Sequence, residues 1–389
     1  MTKLDKLILE LCQNGIEYKK LGDIATISRG GSFQKKDYVE KGVPCIHYGQ
    51  IYMHYGLFVD KTISYISEEV AQKQKFAEPN DVIMAVTSEN IDDVCKCVAW
   101  LGKEKVAVSG HTAIIHHSLH PKYLVYFLHT SMFYRQKTKF AHGTKVIEVS
   151  PNKLNEVMIP VPPLPVQREI VRILDNFTEL TAELTAELTA ELTARRKQYE
   201  YYRDALLTFS SHVPKMAFQK CCLLSRGDYI TKKSAKPGKI PVILGGQEPA
   251  YYIDRANHTG QAIVISRSGA SAGFVSYWDE DIFVTDGFII EAKDNLNQKF
   301  LFYYLKNLQS ALNSMKKGGG VPHITGENIS ALEIPVPPLE EQARIVSILD
   351  RFDALCNDLT SGLPAEIEAR KKQYEYYRDK LLTFQEVKA

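Results

Sequence analysis

Apolar side chains between Val166 and Phe177 recur at three- and four-residue spacing, the pattern of one face of an α-helix. Pro165 suits the first position of such a helix, and neither glycine nor proline interrupts the 44 residues from Val166 to Phe209. At 1.5 Å per residue this run would extend roughly 66 Å. A helix of that length needs a partner along its side, which must come from elsewhere in the chain.

An internal repeat supplies the partner. Ile159–Leu164 (IPVPPL) returns as Ile334–Leu339, 175 residues later, and Arg196–Asp204 returns almost unchanged as Lys371–Asp379 at the same offset. Because such a repeat organises a whole fold, we expect two long helices, one from each copy, that pair antiparallel as a coiled coil. The second copy contains Ser361–Pro364 (SGLP), which predicts a break or kink in its helix.

Weaker traces extend the repeat upstream of the helices. Ser28–Gly30 matches Ser225–Gly227 at an offset of 197 residues, and Gly143 matches Gly318 at 175. Each copy is therefore a diverged globular domain followed by a closely repeated helix, and the first domain has the longer loops. We predict an α/β protein with pseudo-twofold repetition, in which two globular domains, each a small β-sheet plus helices, are separated by the helix pair. The predicted boundaries are 1–157 (first domain), 158–211 (central helix), 212–332 (second domain) and 333–389 (C-terminal helix).

A tetrapeptide repeat lies inside the central helix. Thr181–Leu184 (TAEL) returns at 185–188 and at 189–192. Ala, Glu and Leu are good helix formers, so one interpretation is helix filler. Repetition of one unit favours a second interpretation, a ruler in which each unit lengthens the helix by roughly 6 Å and rotates the residues beyond it.

Composition limits the class of protein. The chain is 44% hydrophobic and 24% charged, as in ordinary globular proteins. No apolar run reaches the roughly 18 residues that a membrane span needs. The seven cysteines are odd in number and scattered, which suits a reducing compartment, and none has zinc-site spacing. We expect a cytoplasmic protein with no membrane partner and no metal of its own.

Charge is distributed unevenly although the net charge is only +2. Basic residues close the first domain and open the second: Arg135, Lys137, Lys139, His142 and Lys145, then Lys215, Lys220, Arg226, Lys232, Lys233, Lys236 and Lys239. The glutamates of the TAEL run line the spacer instead. Such a distribution allows phosphate contacts at the domains and keeps the acidic helix away from a polyanion.

The paired IPVPPL and KQYEYYRD copies, together with the TAEL run, resemble the specificity (S) subunits of type I restriction-modification enzymes, in particular the subgroup with TAEL repeats. The resemblance covers the whole chain. It implies that each domain is a target-recognition domain reading one half of a split site on double-stranded DNA. It also implies that the helices are spacers and docking surfaces for two methyltransferase (M) subunits, with restriction (R) subunits in the full complex. Two readers on a rigid spacer suit two half-sites on one duplex.

Catalytic motifs are missing from the sequence. Pro162-Pro163 and Pro337-Pro338 lie between Val and Leu, not in the [ND]PP[YF] context of an adenine methyltransferase, and no phosphate-binding GxxxxGK[ST] loop occurs. We predict a non-catalytic subunit without a cofactor. The resemblance places S-adenosylmethionine, ATP and Mg on the partner subunits. The alternatives are a coiled-coil scaffold that reads no DNA and, less favoured, a self-contained restriction enzyme.

Candidate DNA contacts are polar segments that follow strand-like apolar runs, most of them beside glycine, which permits close backbone approach. Arginine suits guanine, and glutamine or asparagine suits adenine. For each single residue the alternative is an ordinary surface turn. The candidates are Arg29, Gly30, Ser32, Tyr48, Gln50, Ser88, Asn90 and Lys145 in the first domain, and Arg226, Lys232, Lys233, Gln247, Arg267, Ser268 and His323 in the second.

Overall fold

A computed structural model describes residues 1–245, 248–318, 320–358 and 360–386. The chain forms two compact units. Unit 1 contains Met1–Ala186 and the described residues from Glu368 onward, whereas unit 2 contains Glu187–Ile367. The end of the chain therefore belongs to the same unit as its beginning.

The helices follow the predicted organisation, with short helices in the globular parts and long ones between them. They are α1 (Lys3–Leu11), α2 (Leu21–Ile24), α3 (Tyr48–Met53), α4 (Glu68–Ala71), α5 (Pro121–Phe127), α6 (Ser131–Phe140), α7 (Pro151–Leu154), α8 (Leu164–Leu207), α9 (Phe218–Cys221), α10 (Gln298–Asn307), α11 (Gln309–Ser314), α12 (Gly326–Ser330), α13 (Leu339–Asn357) and α14 (Leu363–Leu381). None of them, in the described parts of the chain, is both long and apolar enough to cross a membrane.

The strands are short and lie in the globular part of each unit. Unit 1 has β1 (Tyr18–Lys20), β2 (Ala25–Arg29), β3 (Tyr38–Val39), β4 (Val43–Ile46), β5 (Phe58–Val59), β6 (Ser64–Ile66), β7 (Lys75–Ala77), β8 (Val82–Ala85), β9 (Thr87–Ser88), β10 (Cys97–Trp100), β11 (Val106–Val108), β12 (Thr112–His117), β13 (Ile147–Glu148) and β14 (Met158–Pro160). Unit 2 has β15 (Lys215–Ala217), β16 (Cys222–Arg226), β17 (Pro237–Ile243), β18 (Tyr251–Ile253), β19 (Gln261–Ser266), β20 (Val275–Asp279), β21 (Phe283–Val284), β22 (Gly287–Ala292) and β23 (Glu333–Pro335).

Unit 1 is built on two five-stranded sheets, with strand orders β2-β12-β8-β10-β5 and β3-β6-β4-β11-β7. Strands β8, β10 and β11 read VIMA, CVAW and VAV and are buried along their whole length. Continuous apolar strands of this kind are covered on both faces, so these three strands form the centre of the domain. The pairs β1-β14 and β13-β9 complete the unit.

Unit 2 repeats this plan with fewer strands, in the orders β16-β22-β19-β20 and β18-β17-β21. Its pair β15-β23 matches β1-β14 in register, since Tyr18 lies opposite Pro160 and Lys215 opposite Pro335. Arg29 lies opposite Ala113, and Arg226 opposite the matching residue of β22. The weak sequence traces are thus true structural equivalences. The longer loops predicted for the first domain include β7, an additional strand of its second sheet.

The central helix α8 is continuous over 44 residues and passes through all three TAEL units without interruption. Its observed bounds lie two residues before the predicted run at each end. The predicted break in the second copy is confirmed, because α13 ends at Asn357 and α14 begins at Leu363. Glycine is required in this break, since a Cβ on Gly362 would lie 2.5 Å from the carbonyl oxygen of Ala354.

Each core is closed by a helix end from the repeat. Leu207, at the end of α8, is buried in the core of unit 2, and Leu382, its match 175 residues later, is buried in the core of unit 1. Just beyond these helix ends, the backbone N–H of Val213 donates to Ser210 (3.1 Å), and that of Ile16 donates to Gln385 (3.1 Å). The C-terminal segment thus takes, in unit 1, the place that the end of α8 takes in unit 2.

Aromatic contacts show how the helices pair within each unit. In unit 1 the ring of Phe177 stacks on that of Tyr377, with centroids 5.9 Å apart. In unit 2 the matching pair, Phe352 and Tyr202, stacks at 5.6 Å. One residue after Phe177, Thr178 is hydrogen-bonded to Tyr374 at 2.9 Å, three positions earlier than Tyr377. The two segments of unit 1 therefore run in opposite directions, as the sequence predicted.

Candidate nucleic-acid interface

Strand ends converge on one edge of unit 1. Ala85, the last residue of β8, lies opposite Thr112, the first of β12, and the next residue, Val86, donates its backbone N–H to the carbonyl of His111 (3.0 Å). Thr87 then pairs with Glu148 of β13. We call Arg29, Thr87, His111 and Glu148 the first edge, because these four residues stand where the strands end and the loops begin.

Unit 2 forms the same arrangement with different side chains. Arg267 donates its backbone N–H to the carbonyl of Asp286 (2.9 Å), as Val86 does to His111. Ser268 pairs with His323 through an antiparallel bridge, as Thr87 does with Glu148. The second edge is therefore Arg226, Ser268, Asp286 and His323, matched position by position to the first.

A tight loop projects beside each edge. In unit 1 the bridge between His142 and Glu148 closes a loop that begins at Gly143, and in unit 2 the bridge between Lys317 and His323 closes the matching loop at Gly318. Both glycines have positive φ, +105° and +107°. In unit 1 a Cβ would lie 2.0 Å from the Val146 carbonyl oxygen, so this turn requires glycine. Lys145 is exposed on the loop of unit 1.

Ion pairs order the carboxylates of both edges. In the first edge the Arg29 guanidinium contacts Glu148 Oε1 at 3.2 Å and donates from Nε to the carbonyl of Gly110. In the second edge Arg267 contacts Asp286 Oδ1 at 3.3 Å. Arg226 is exposed, and its side chain has no hydrogen-bond or ion-pair partner in the part of the chain that the structure describes.

A cleft of about 390 Å³ adjoins the first edge and brings three predicted candidates together. It is lined by Tyr48, Tyr52, Thr87, Ser88, Glu89, Asn90, Asp93 and Val146. Tyr48, Ser88 and Asn90 come from two separate segments of the sequence, so only folding makes them neighbours. Burial raises the pKa of Tyr52, whose hydroxyl donates to the carbonyl of Thr87 at 2.7 Å.

Three other candidates of unit 1 are engaged in the fold. Gln50 is buried, and both ends of its side-chain amide are hydrogen-bonded. Its Oε1 accepts from the His47 backbone N–H (2.8 Å), and its Nε2 donates to Ser64 (2.6 Å). Its amide caps α3 and is not free to reach a base. Gly30 packs against a carbonyl, since a Cβ there would lie 2.0 Å from the Ser109 oxygen. Ser32 donates its backbone N–H to Gln74 (2.7 Å), but its side chain is exposed, so it stays a candidate.

The candidates of unit 2 fall into two groups. Arg226, Arg267, Ser268 and His323 lie together at the second edge. Lys232 instead lines a separate cleft of about 450 Å³ with other residues of the segment 235–252, and its neighbour Lys233 is exposed. Gln247 lies outside the described residues.

The sequence interpretation missed His111, Glu148 and Asp286, three residues of the two edges. No motif surrounds them. The signal that could have found them is the internal repeat, because His111 and Glu148 precede Asp286 and His323 by the same 175 residues that separate the helices.

Lys137 corrects one prediction about charge. The sequence placed it among the surface lysines that close the first domain, but it is buried. Its Nζ donates to the carbonyls of Asp92 (2.9 Å) and Val94 (2.7 Å), and burial lowers its pKa. Lys137 therefore supports the loop that carries Asn90 by binding its backbone carbonyls. At the end of this loop, Cys95 has a positive φ of 67°.

Each of the two repeated domains thus carries a matched polar edge, and the long helix α8 leads from one domain to the other. The family model described as the type I restriction modification DNA specificity domain matches residues 13–194 and 221–369. The chain belongs to this family. Since the family confers specificity and is not catalytic, the predictions of family, function class and non-catalytic role are confirmed, whereas membership of the TAEL subgroup stays a prediction.

Curated relatives agree with this assignment. A putative type I restriction enzyme specificity subunit of Haemophilus influenzae is 35% identical over 305 residues, which cover 72% of this chain and 77% of the relative. The specificity subunit of the type I restriction enzymes EcoR124I and EcoR124II of Escherichia coli is 35% identical over 297 residues, or 68% of this chain and 70% of the relative.

Solved structures confirm the predicted fold class. A chain from work on complex assembly and conformational transition of the type I restriction-modification system aligns with a TM-score of 0.70 and 18% identity, over 95% of this chain and 97% of that one. The HsdS subunit of Thermoanaerobacter tengcongensis aligns with a TM-score of 0.57 and 17% identity, over 95% and 96%. At such identities the likeness is one of fold.

Replacing Lys137 by methionine tests its support of the loop. The carbonyls of Asp92 and Val94 would lose their donor, so we expect a loss of about 1–3 kcal/mol in unfolding free energy and faster amide exchange around Cys95. Urea denaturation and hydrogen exchange measure the two effects. Lys139→Met, an exposed lysine of the same helix, is the control and should change stability by less than about 0.5 kcal/mol. Equal stability and exchange in both variants would contradict the supporting role.

Proposed function

We propose that the chain reads a split target on double-stranded DNA, one half-site per unit, and directs methyltransferase and restriction subunits to it. The observation that carries this proposal is the pair of matched edges, which share one backbone framework and differ in most of their side chains. A shared framework supports the same mode of approach to the duplex. Different side chains support different sequences in the two halves. The ranges 1–157 and 212–332 are the proposed target-recognition domains.

The groups at the edges are of the right chemistry for this role. Arginine donates two hydrogen bonds to guanine, carboxylates accept from the amino group of cytosine, and asparagine pairs with adenine. Lys145, which is exposed on the loop beside the first edge, suits a phosphate contact that fixes the register without reading sequence.

Exposed aromatic pairs on the helices support the proposal of two methyltransferase partners. Tyr201 (70% exposed) lies beside Tyr202, and its match Tyr376 (62% exposed) lies beside Tyr377, with ring centroids 5.5 and 5.3 Å apart. Large exposed aromatic side chains are typical of protein interfaces. Because unit 1 and unit 2 each present one such patch, we infer two copies of the same partner.

The partners would also bring the chemistry. We propose that S-adenosylmethionine, ATP and Mg bind to the methyltransferase and restriction subunits, and that the complex acts in the cytoplasm. The TAEL run would set the separation of the half-sites, since it lies within the uninterrupted part of α8 that leads from unit 1 into unit 2.

Exchanging the region 212–332 for that of a relative with another target tests the function. The methylated motif should change in one half only, because unit 1 is untouched. The measurement is methylome sequencing of cells that carry this chain and its methyltransferase. An unchanged motif in a complex that still methylates would favour the alternative, a scaffold that reads no DNA.

The two tyrosine patches predict the stoichiometry. Tyr201→Ala should leave complexes with one methyltransferase, Tyr376→Ala should do the same, and the double variant should lose both, since each anchor contributes about 2 kcal/mol or more. Native mass spectrometry of the mixed subunits gives the count. Glu200→Ala, beside one patch, is the control. A double variant that still carries two methyltransferases would contradict this assignment.

Deleting Thr189–Leu192 tests the ruler. The helix would lose one unit of roughly 6 Å, so the unread gap should shorten by about one or two base pairs while both half-sites stay the same. Replacing the same four residues by alanines keeps the helix length and should keep the gap. If the deletion leaves the gap unchanged in the sequenced methylome, the TAEL run is filler.

A further inference from the structure

The two edges carry the same two chemical groups in exchanged positions. The first edge has an imidazole at His111 and a carboxylate at Glu148. The second edge has a carboxylate at Asp286 and an imidazole at His323, at the matched positions. The backbone bonds that define the match are the same in both units, so the exchange concerns the side chains alone.

In both edges the carboxylate is ion-paired with an arginine, and the position of that arginine differs between the edges. In the first edge Arg29 pairs with Glu148 at 3.2 Å. In the second edge the arginine at the matched position, Arg226, has no side-chain partner among the described residues, whereas Arg267 pairs with Asp286 at 3.3 Å. In the first edge the position of Arg267 is occupied by valine. Each carboxylate is thus accompanied by its own arginine, placed to suit the exchanged order.

A hydroxyl fixes one of the two positions in both edges. Thr87 Oγ1 is hydrogen-bonded to His111 Nδ1 at 3.2 Å, and the matching Ser268 hydroxyl donates to an oxygen of Asp286. His111 is exposed and Asp286 is half-buried. The group at this position is therefore oriented by the protein but still accessible, which is what recognition of a flat base edge requires.

The exchange inverts the order of hydrogen-bonding groups. A carboxylate only accepts, so it selects the exocyclic amino group of cytosine or adenine, whereas an imidazole can donate to purine N7 or to guanine O6. One edge therefore offers donor then acceptor, and the other acceptor then donor. Identical frameworks with inverted groups would prefer different base pairs at the same place in each half-site.

We propose that the positions of His111 and Glu148, and of Asp286 and His323, determine specificity, and that the exchange of imidazole and carboxylate between them makes the two half-sites differ. This inference rests on the proposed function, since it assumes that each edge faces one half-site.

The test is a reciprocal exchange in the full complex with methyltransferase subunits. The variant Asp286→His, His323→Glu and Arg267→Val gives the second edge the groups of the first. We expect the preferred base to change at one or two positions of one half-site, with at least about tenfold discrimination against the original base, and no change in the other half. His111→Asp with Glu148→His should alter the opposite half. The readout is methylation of a library with every base at each position.

Glu280→His is the control, because this exposed carboxylate of unit 2 lies outside both edges and should leave both halves unchanged. If the triple variant does not assemble, Asp286→Asn and His323→Gln separately carry the test, and each should weaken discrimination in the same half by about tenfold. Assembled variants with unchanged half-sites would overturn the inference. If the edge variants leave both half-sites unchanged but the exchange of the region 212–332 changes one half-site, the inference fails and the proposed function stands. If the exchange of 212–332 also changes neither half-site, the proposed function fails as well.

Discussion

Each globular unit completes its hydrophobic core with the end of the helix that comes from the other copy of the repeat. Leu207 fills the core of unit 2 at the point where α8 ends, and Leu382 fills the core of unit 1 at the end of α14. Burial of one such leucine contributes about 1.5–3 kcal/mol. The chain must therefore return to its beginning, and both helices must end in a fixed register.

Hydrogen bonds to one carboxylate in each unit orient the globular domain on its helix. The Asp175 carboxylate of α8 accepts from Lys122 (2.7 Å) and Tyr126 (2.8 Å), and Asp350 of α13 makes the same two bonds in unit 2. A carboxylate shared by two donors of a neighbouring helix fixes an angle as well as a distance. The sheet of each unit, with the edge at its strand ends, is thus fixed in position relative to the long helix of that unit.

The sequence predicts features that depend on neighbouring residues better than features that depend on contacts between residues distant in the sequence. The bounds of α8 and the break before Leu363 follow from local composition, and local patterns predicted them. Gln50 and Lys137 were misjudged because their burial depends on Ser64 and on the loop at Val94, which are distant in the sequence. His111 and Asp286 belong to no motif. The 175-residue offset of the repeat aligns them and strand pairing shows that they occupy one position, so neither segment alone could have revealed them.

Two kinds of bond divide the molecule into constant and variable parts. The matched positions of the edges are held by backbone groups, such as Val86 N–H to His111 and Arg267 N–H to Asp286. Backbone bonds survive a change of side chain, so substitution there costs the fold little. The helices are joined instead through side chains, as in the stack of Phe177 on Tyr377, and these cannot change without losing the contact. This difference agrees with the repeat, in which the ends of the helices return almost unchanged while the domains diverge.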